Sequence, residues 1–279
     1  MTFSTRARAS ALTLLAALTL AGCGPDTDPG SAAGPSVTAS APSSQGTPSG
    51  PPSSPQASDP APSSPADPST SADADPEPEH ANPVVRRIPD EQWAEIVATG
   101  SWRPGCPVGR AGLRRVEVNH HTFAGGVRRG VLVVNKDVAP SIARIFTHLY
   151  DQGFPIRRMR PVEAYDGDSN ASLRADNTAA FNCRRPDQIN APVLKSPHAN
   201  GRAIDINPRE NPWKDLRCDC WSPGPRHKAR RPGPGMILDG GMVFRTFRAE
   251  GWIWQNIDVP DYMHFDTGYP SRPFRGPKG

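Results

Sequence analysis

Ser196-Pro-His-Ala-Asn-Gly-Arg-Ala-Ile-Asp205, read with Asp261-Tyr-Met-His264, decides how the rest of the chain is understood. The first stretch offers His198 and Asp205, the second Asp261 and His264, about sixty residues on. Two imidazoles and two carboxylates in two short segments are what a zinc site of three protein ligands with a separate base requires. Gly201 lets the chain turn tightly between His198 and Asp205. Ala203, Ile204 and Ile206 read as a short buried strand, and Met263-His-Phe-Asp-Thr267 as another. If these strands are neighbours, His198, Asp205 and His264 converge on one metal, with Asp261 beside it.

Outward from this pair, the pattern predicts a mixture of helices and strands. Pro89 to Gly100 reads as a helix with acids in its first turn, a face of Trp93, Ile96 and Val97, and a terminal glycine. Arg115 to Asn119 and Gly130 to Val134 read as strands joined through Gly125-Gly126. Asp137 to Asp151 carries an apolar stripe of Val138, Ile142, Ile145, Phe146 and Leu149 at helical spacing, with Gly153 as a stop. Ile156 to Val162 is a predicted strand, Asp166 to Asn177 a loop, Gly241 to Glu250 a helix, and Trp252 to Trp254 a strand. Pro and Gly dominate Pro223 to Gly235, a predicted surface loop. The elements do not alternate strictly, which makes the class α+β: a small antiparallel sheet with flanking helices around a cleft.

The ends are of different material. Arg6 and Arg8 precede an apolar run from Ala11 to Ala21, then Leu20-Ala-Gly-Cys23. A basic start, a short apolar run and small residues before a cleavage point make residues 1–22 an export signal. Leu-Ala-Gly-Cys resembles a bacterial lipobox, which implies acylation at Cys23 and a tether on the outer face of a membrane. Residues 23–83 are mostly Pro, Ser, Ala, Asp and Gly, and Val37 is the only large apolar side chain after Cys23. Such a stretch buries too little surface to offset its ordering entropy and reads as a disordered, acidic spacer. Residues 84–279 hold all six Trp and all four Tyr, and form the predicted globular domain.

Charge divides along the same boundary. Of 32 basic residues only Arg6 and Arg8 precede Val84, and eight of the 28 acids lie in the spacer, leaving 30 Lys and Arg against 20 Asp and Glu in the domain. An exported basic domain attracts anionic wall polymers or lipid headgroups. Nucleic acid is not an expected partner, since no basic motif interleaved with aromatics is present. Beyond Cys23 the cysteines are Cys106, Cys183, Cys218 and Cys220, an even count that points to two disulfides in an exported domain. A Cys-x-Cys pair is not expected to close on itself, so Cys218 and Cys220 are each assigned a partner in Cys106 or Cys183, the pairing left open. His120-His121 has no acidic or Cys partner in register and reads as structural.

The full pattern, Ser-x-His-x-x-Gly-x-Ala-x-Asp with a downstream Asp-x-x-His-Phe, resembles the VanY-like D-alanyl-D-alanine carboxypeptidase family of zinc peptidases, near the branch of phage-type L-alanyl-D-glutamate peptidases. Asp176 to Arg184, Asn207-Pro208, Leu132-Val-Val and Phe154-Pro-Ile156 add to the likeness, which runs over roughly residues 105 to 268. The resemblance implies His198, Asp205 and His264 as ligands of one Zn²⁺ and Asp261 as general base. It implies an arginine for the oxyanion: Arg184 is the first choice, with Arg160 and Arg185 as alternatives. Ser196 is a candidate for substrate contact. The implied protein is a membrane-tethered zinc peptidase acting on peptidoglycan stem peptides, as a carboxypeptidase or, alternatively, an endopeptidase. A zinc-containing wall-binding module without activity is the reading from another class; retention of Asp261 argues against it, because a closed structural site needs four protein ligands and no base.

Overall fold

A computed structural model describes residues 79–184, 188, 194–255 and 258–277. The export signal, Cys23 and most of the spacer lie outside the described residues, as does Arg185. Packed structure begins slightly ahead of Val84: Ala81 is buried in the main core, and Asn119 donates from its side chain to the carbonyl of His80.

The elements follow in order as β1 (Val84–Arg86), α1 (Asp90–Ala98), β2 (Leu113–His121), β3 (Val127–Asn135), α2 (Ala139–Asp151), β4 (Arg158–Met159), α3 (Ser169–Arg174), β5 (Asn177–Thr178), β6 (Ala203–Asp205), β7 (Trp213–Asp215), β8 (Cys220–Ser222), α4 (Met242–Ala249), β9 (Ile253–Trp254) and β10 (His264–Asp266). They form an antiparallel sheet β1-β2-β3, a second antiparallel sheet β6-β10-β9, a parallel pair β4-β5 and a hairpin β7-β8. The class is α+β. Among the described residues no helix is long and apolar enough to cross a membrane.

Helix α2 is the main buttress. Val138, Ile142, Ile145, Phe146 and Leu149 recur at helical spacing and are at most 1 % exposed. Each contributes roughly 1.5–3 kcal/mol by leaving water. They lie in one core with Val116 and Val118 of β2, Leu132 and Val134 of β3, and Ile204, Phe247 and Phe265. Because Ile204 and Phe265 belong to the strands that carry Asp205 and His264, the core fixes those strands against α2 and the β2-β3 hairpin. A second cluster of Ile88, Ile96, Leu113, Val133, Phe181, Cys183 and Ala199 packs beside Trp93 and Trp102.

Four expectations are corrected. Val97 of α1 is 42 % exposed, and Gln92 is buried in its place, bonding Glu163 at 2.9 Å. The stretch 166–177 holds helix α3, whose first amides donate to the Asp168 carboxylate at 2.8 and 3.2 Å. An Asp at an N-cap satisfies donors that a helix start leaves free. Only Arg158–Met159 of the stretch 156–162 is strand, and a single 3-10 turn follows at Val162–Tyr165. Finally, two disulfides form, but as Cys106–Cys183 and Cys218–Cys220. The second pair closes on itself because Asp219, between β7 and β8, takes a left-handed conformation (φ 51°) and brings the two Cα atoms to 5.1 Å. That distance lies within disulfide reach. Cys106 and Cys183 meet in the second core cluster instead.

Candidate metal centre and active site

Register brings the two motif segments together. Strands β6 and β10 are antiparallel neighbours, and His264 is directly opposite Asp205. Side chains of directly opposed residues stand on the same face, so a carboxylate and an imidazole 59 positions apart point the same way. His198 arrives from the preceding loop. That loop is wound by Asn200 N–H to Ser196 O, Gly201 N–H to His198 O and Arg202 N–H to Pro197 O. Gly201 makes the turn possible: its φ is +68°, and a Cβ there would lie 2.6 Å from the Asn135 nitrogen, which donates to Gly201 O. Ser196 is buried, and its hydroxyl accepts from Ala199 N–H at 3.3 Å, a contact that shapes the same loop.

Three ligand-type atoms meet. His198 Nε2 is 3.1 Å from His264 Nδ1 and 3.3 Å from Asp205 Oδ2, and His264 Nδ1 is 3.1 Å from Asp205 Oδ1. The other nitrogen of each ring settles where its proton sits. His198 Nδ1 donates to the carbonyl of Ala180 at 2.7 Å, and His264 Nε2 donates to Asp266 Oδ2 at 3.1 Å. A carbonyl and a carboxylate only accept, so both rings turn an electron pair toward the Asp205 carboxylate and toward each other. Three electron-rich atoms at this spacing repel unless positive charge stands between them. Four tetrahedral ligands about 2.05 Å from a zinc ion lie about 3.3 Å apart, from ordinary Zn–N and Zn–O lengths. The observed triangle therefore fits such an ion, and among the described residues it is the one His/Cys/Asp/Glu group with this property.

Electrostatics agree. Burial alone would hold the His264 imidazole down, but hydrogen bonds to Asp205 and Asp266 and the charges of Asp261 and Asp205 raise it well above its ordinary value. Burial would raise Asp205, yet the charge and hydrogen bond of His198 and the bond to His264 hold it far below the carboxylate range.

Asp261 stands at the edge of this group. Its segment is fastened to β7 by Lys214 N–H to Pro260 O and Tyr262 N–H to Pro212 O, and His264 N–H donates to Asp261 O at 3.2 Å. That turn sets base and ligand side by side. Burial pushes the Asp261 carboxyl up to about 7, against the charge of His264 and with the charge of Asp205 adding to the rise. Its Oδ1 is buried and has no hydrogen-bond partner among the described residues, so its capacity to accept a proton is unspent.

Arg184 is half-buried, with Asp205 and Asp261 close enough to hold its charge up against the burial that lowers its pKa. The Cys106–Cys183 bond anchors its neighbour, Arg103 Nε donates to its carbonyl at 3.2 Å, and its own N–H donates to Asn182 Oδ1 at 2.8 Å. It lines a small cavity of about 70 Å³ together with Ser169, Asn177, Asn182, His198 and Asp205. Arg160, the described alternative, lines a different cavity. Asp266 and the Ala180 carbonyl escaped the sequence reading. Asp266, two residues after His264, is the recognisable signal, because an acid at that spacing in a strand shares a face with the histidine. His120 and His121 do not join the site: His120 is buried, and His121 stacks on Tyr150 at 4.4 Å.

Residues 190–267 match the family described as D-alanyl-D-alanine carboxypeptidase. That segment holds His198, Asp205, Asp261 and His264, and the family it matches is the VanY-like one that the motifs resemble. This match over part of the chain suggests a peptidase acting on peptidoglycan. No curated protein and no solved structure matches the chain.

Proposed function

We propose that this protein is a zinc-dependent D-alanyl-D-alanine carboxypeptidase that trims peptidoglycan stem peptides, exported and held to the outer face of the membrane through Cys23. The observation that carries the reading is the triangle of His198 Nε2, Asp205 and His264 Nδ1 with the orphaned Asp261 oxygen beside it. Three protein ligands and a free carboxylate fit a catalytic rather than a closed structural site. His198, Asp205 and His264 would hold the ion, which supplies Lewis-acid polarisation and a low-pKa water when bound.

The remaining steps belong to the chain. Asp261 takes the proton of the attacking water at its carboxylate and delivers it to the leaving amine nitrogen, so that one carboxyl serves as base and then as acid. Arg184 supplies positive charge toward the oxygen that gains charge as the peptide carbonyl is attacked. Asp266 and the Ala180 carbonyl keep both ligand rings from rotating or exchanging tautomers. Ser196 stands in the ligand loop, where its hydroxyl accepts Ala199 N–H and shapes the approach of His198. The acidic spacer of residues 23–83 gives the domain reach from the membrane toward its substrate.

Mass spectrometry of purified muropeptides incubated with the zinc-loaded protein tests this. Loss of one terminal alanine is the expected product. A cut inside the stem would make the enzyme an endopeptidase, and unchanged muropeptides would overturn the hydrolase reading.

A further inference from the structure

A second cleft, on the far side of the Val162–Tyr165 turn from the histidines, has no part in the reaction described above. Its volume is about 650 Å³, and it lies between α1, the start of β3 and the segment 157–164. Seven arginines line it, with no lysine, and its one aromatic ring is the buried imidazole of His120. Three of them, Arg86, Arg115 and Arg129, converge on the single carboxylate of Glu117. Arg157 is held by Asp176 at 2.7 Å and Glu210 at 3.2 Å.

The other three, Arg128, Arg158 and Arg160, are exposed and have no carboxylate partner among the described residues. Arg158 and Arg160 flank the buried Met159 on extended chain, so alternation points both out of the protein. Met159 itself is pressed onto β3 at Gly130, where a Cβ would meet its sulfur at 2.5 Å. This close approach seats the arginine-bearing segment against the sheet. Glu91, Glu95 and Glu163 are the acids that line the cleft, and none of them forms an ion pair with Arg128, Arg158 or Arg160 among the described residues. Arg128, Arg157 and Arg158 also line an adjoining depression of about 190 Å³ beside Thr122 and Phe123, so the basic surface continues as a track.

We propose that this track is a second binding site, for a phosphodiester-linked polyol polymer. Guanidinium forks match phosphate oxygens in bidentate geometry, which a flexible ammonium does not. A track of arginines longer than one phosphate suits a repeating polyanion rather than a single ion. A nucleic acid would call for free aromatic faces on which bases stack; here His120 is buried, and the Phe123 ring of the adjoining depression is covered by the Arg157 guanidinium at 4.2 Å. Electrostatic capture of such a polymer would hold the domain on its surface while the metal centre, on the other side of the turn, stays open to peptide.

The test is binding of the full chain, carrying C23S to remove the acyl anchor, to poly(glycerol phosphate). Parallel arms use poly-L-glutamate, a single-stranded oligonucleotide and phosphatidylglycerol vesicles. Expected is preferential binding of poly(glycerol phosphate) that weakens as salt rises. The double variant R128E/R160E is expected to bind about tenfold or more weakly, with an unchanged melting temperature. The variant R128Q/R160Q, which adds no new charge, should lose affinity in the same direction. Equal affinity of wild type and both variants would overturn the proposal, as would equal or tighter binding of polyglutamate, oligonucleotide or vesicles. Hydrolysis of a soluble stem peptide is read separately, on the single variant R128E, and should not change, so this proposal and the peptidase reading can fail independently.

Discussion

Replacing Asp266 with Asn changes almost no volume and should still disable the metal centre. Asp266 is fully buried; its Oδ1 accepts Gly268 N–H at 2.8 Å and its Oδ2 accepts His264 Nε2–H at 3.1 Å. In the Asn variant the carbonyl oxygen stays on Gly268 and an NH₂ group faces His264. His264 Nε2 must then accept, which moves the ring proton to Nδ1, the atom that faces Asp205 and His198. The ligand lone pair is lost without any ligand being deleted. Partners of this kind are typically worth 10–100-fold in metal affinity, about 1.4–2.7 kcal/mol. Zinc affinity measured by competition with a chromogenic chelator reads this directly, and a melting curve of the metal-free protein separates it from loss of fold. Zinc affinity of Asp266→Asn within about twofold of wild type would refute the reasoning, because it would mean that Asp266 does not set the tautomer of His264.

Asp261→Asn should keep the metal and lose about 10²–10⁴-fold in kcat toward a stem peptide, the usual contribution of a positioned base. The same substitution has a pH signature in the metal-free protein. Because burial raises the Asp261 pKa from 3.8 to about 7, its contribution to stability is fully present below 3.8 and is lost as pH rises through 7. Asp261→Asn should therefore raise the metal-free melting temperature relative to wild type more at pH 8 than at pH 5, a difference scanning calorimetry would detect. Cys106→Ser opens a link between residues 77 apart and should cost about 4 kcal/mol by loop entropy, whereas Cys218→Ser, which opens a link between residues 2 apart, should cost much less; denaturant melts compare them. Cys23→Ser should move the protein from the membrane to the soluble fraction on cell fractionation.

The sequence made the centre of the molecule legible because two periodicities were clear. The stripe from Val138 to Leu149 could bury only as a helix, and the apolar residues on either side of Asp205 and His264 could bury only as strands. The motif acids and imidazoles then had to sit at strand ends and turns, which is where they are. What escaped was set by contacts at longer range or finer scale. Gln92 displaced Val97 from the buried face of α1 because Glu163 and Arg115, far along the chain, bond it. Helix α3 is six residues long and depends on its Asp168 cap, so polar composition hid it. The Cys218–Cys220 bond depends on a left-handed Asp219, which the general improbability of a Cys-x-Cys closure argued against. Arg184 could be named from its neighbourhood in sequence, but its position relative to Asp205 and Asp261 follows from the anchored Cys183, which only the fold reveals.

The most direct test of the central claim is zinc stoichiometry, measured by elemental analysis after dialysis against trace zinc, on wild type and on His198→Ala. One zinc per wild-type chain and less than a tenth of that in His198→Ala, with the variant still folded, is the predicted result. Equal zinc in the two proteins, or none in wild type, would mean that the convergence of His198, Asp205 and His264 serves something other than a metal ion.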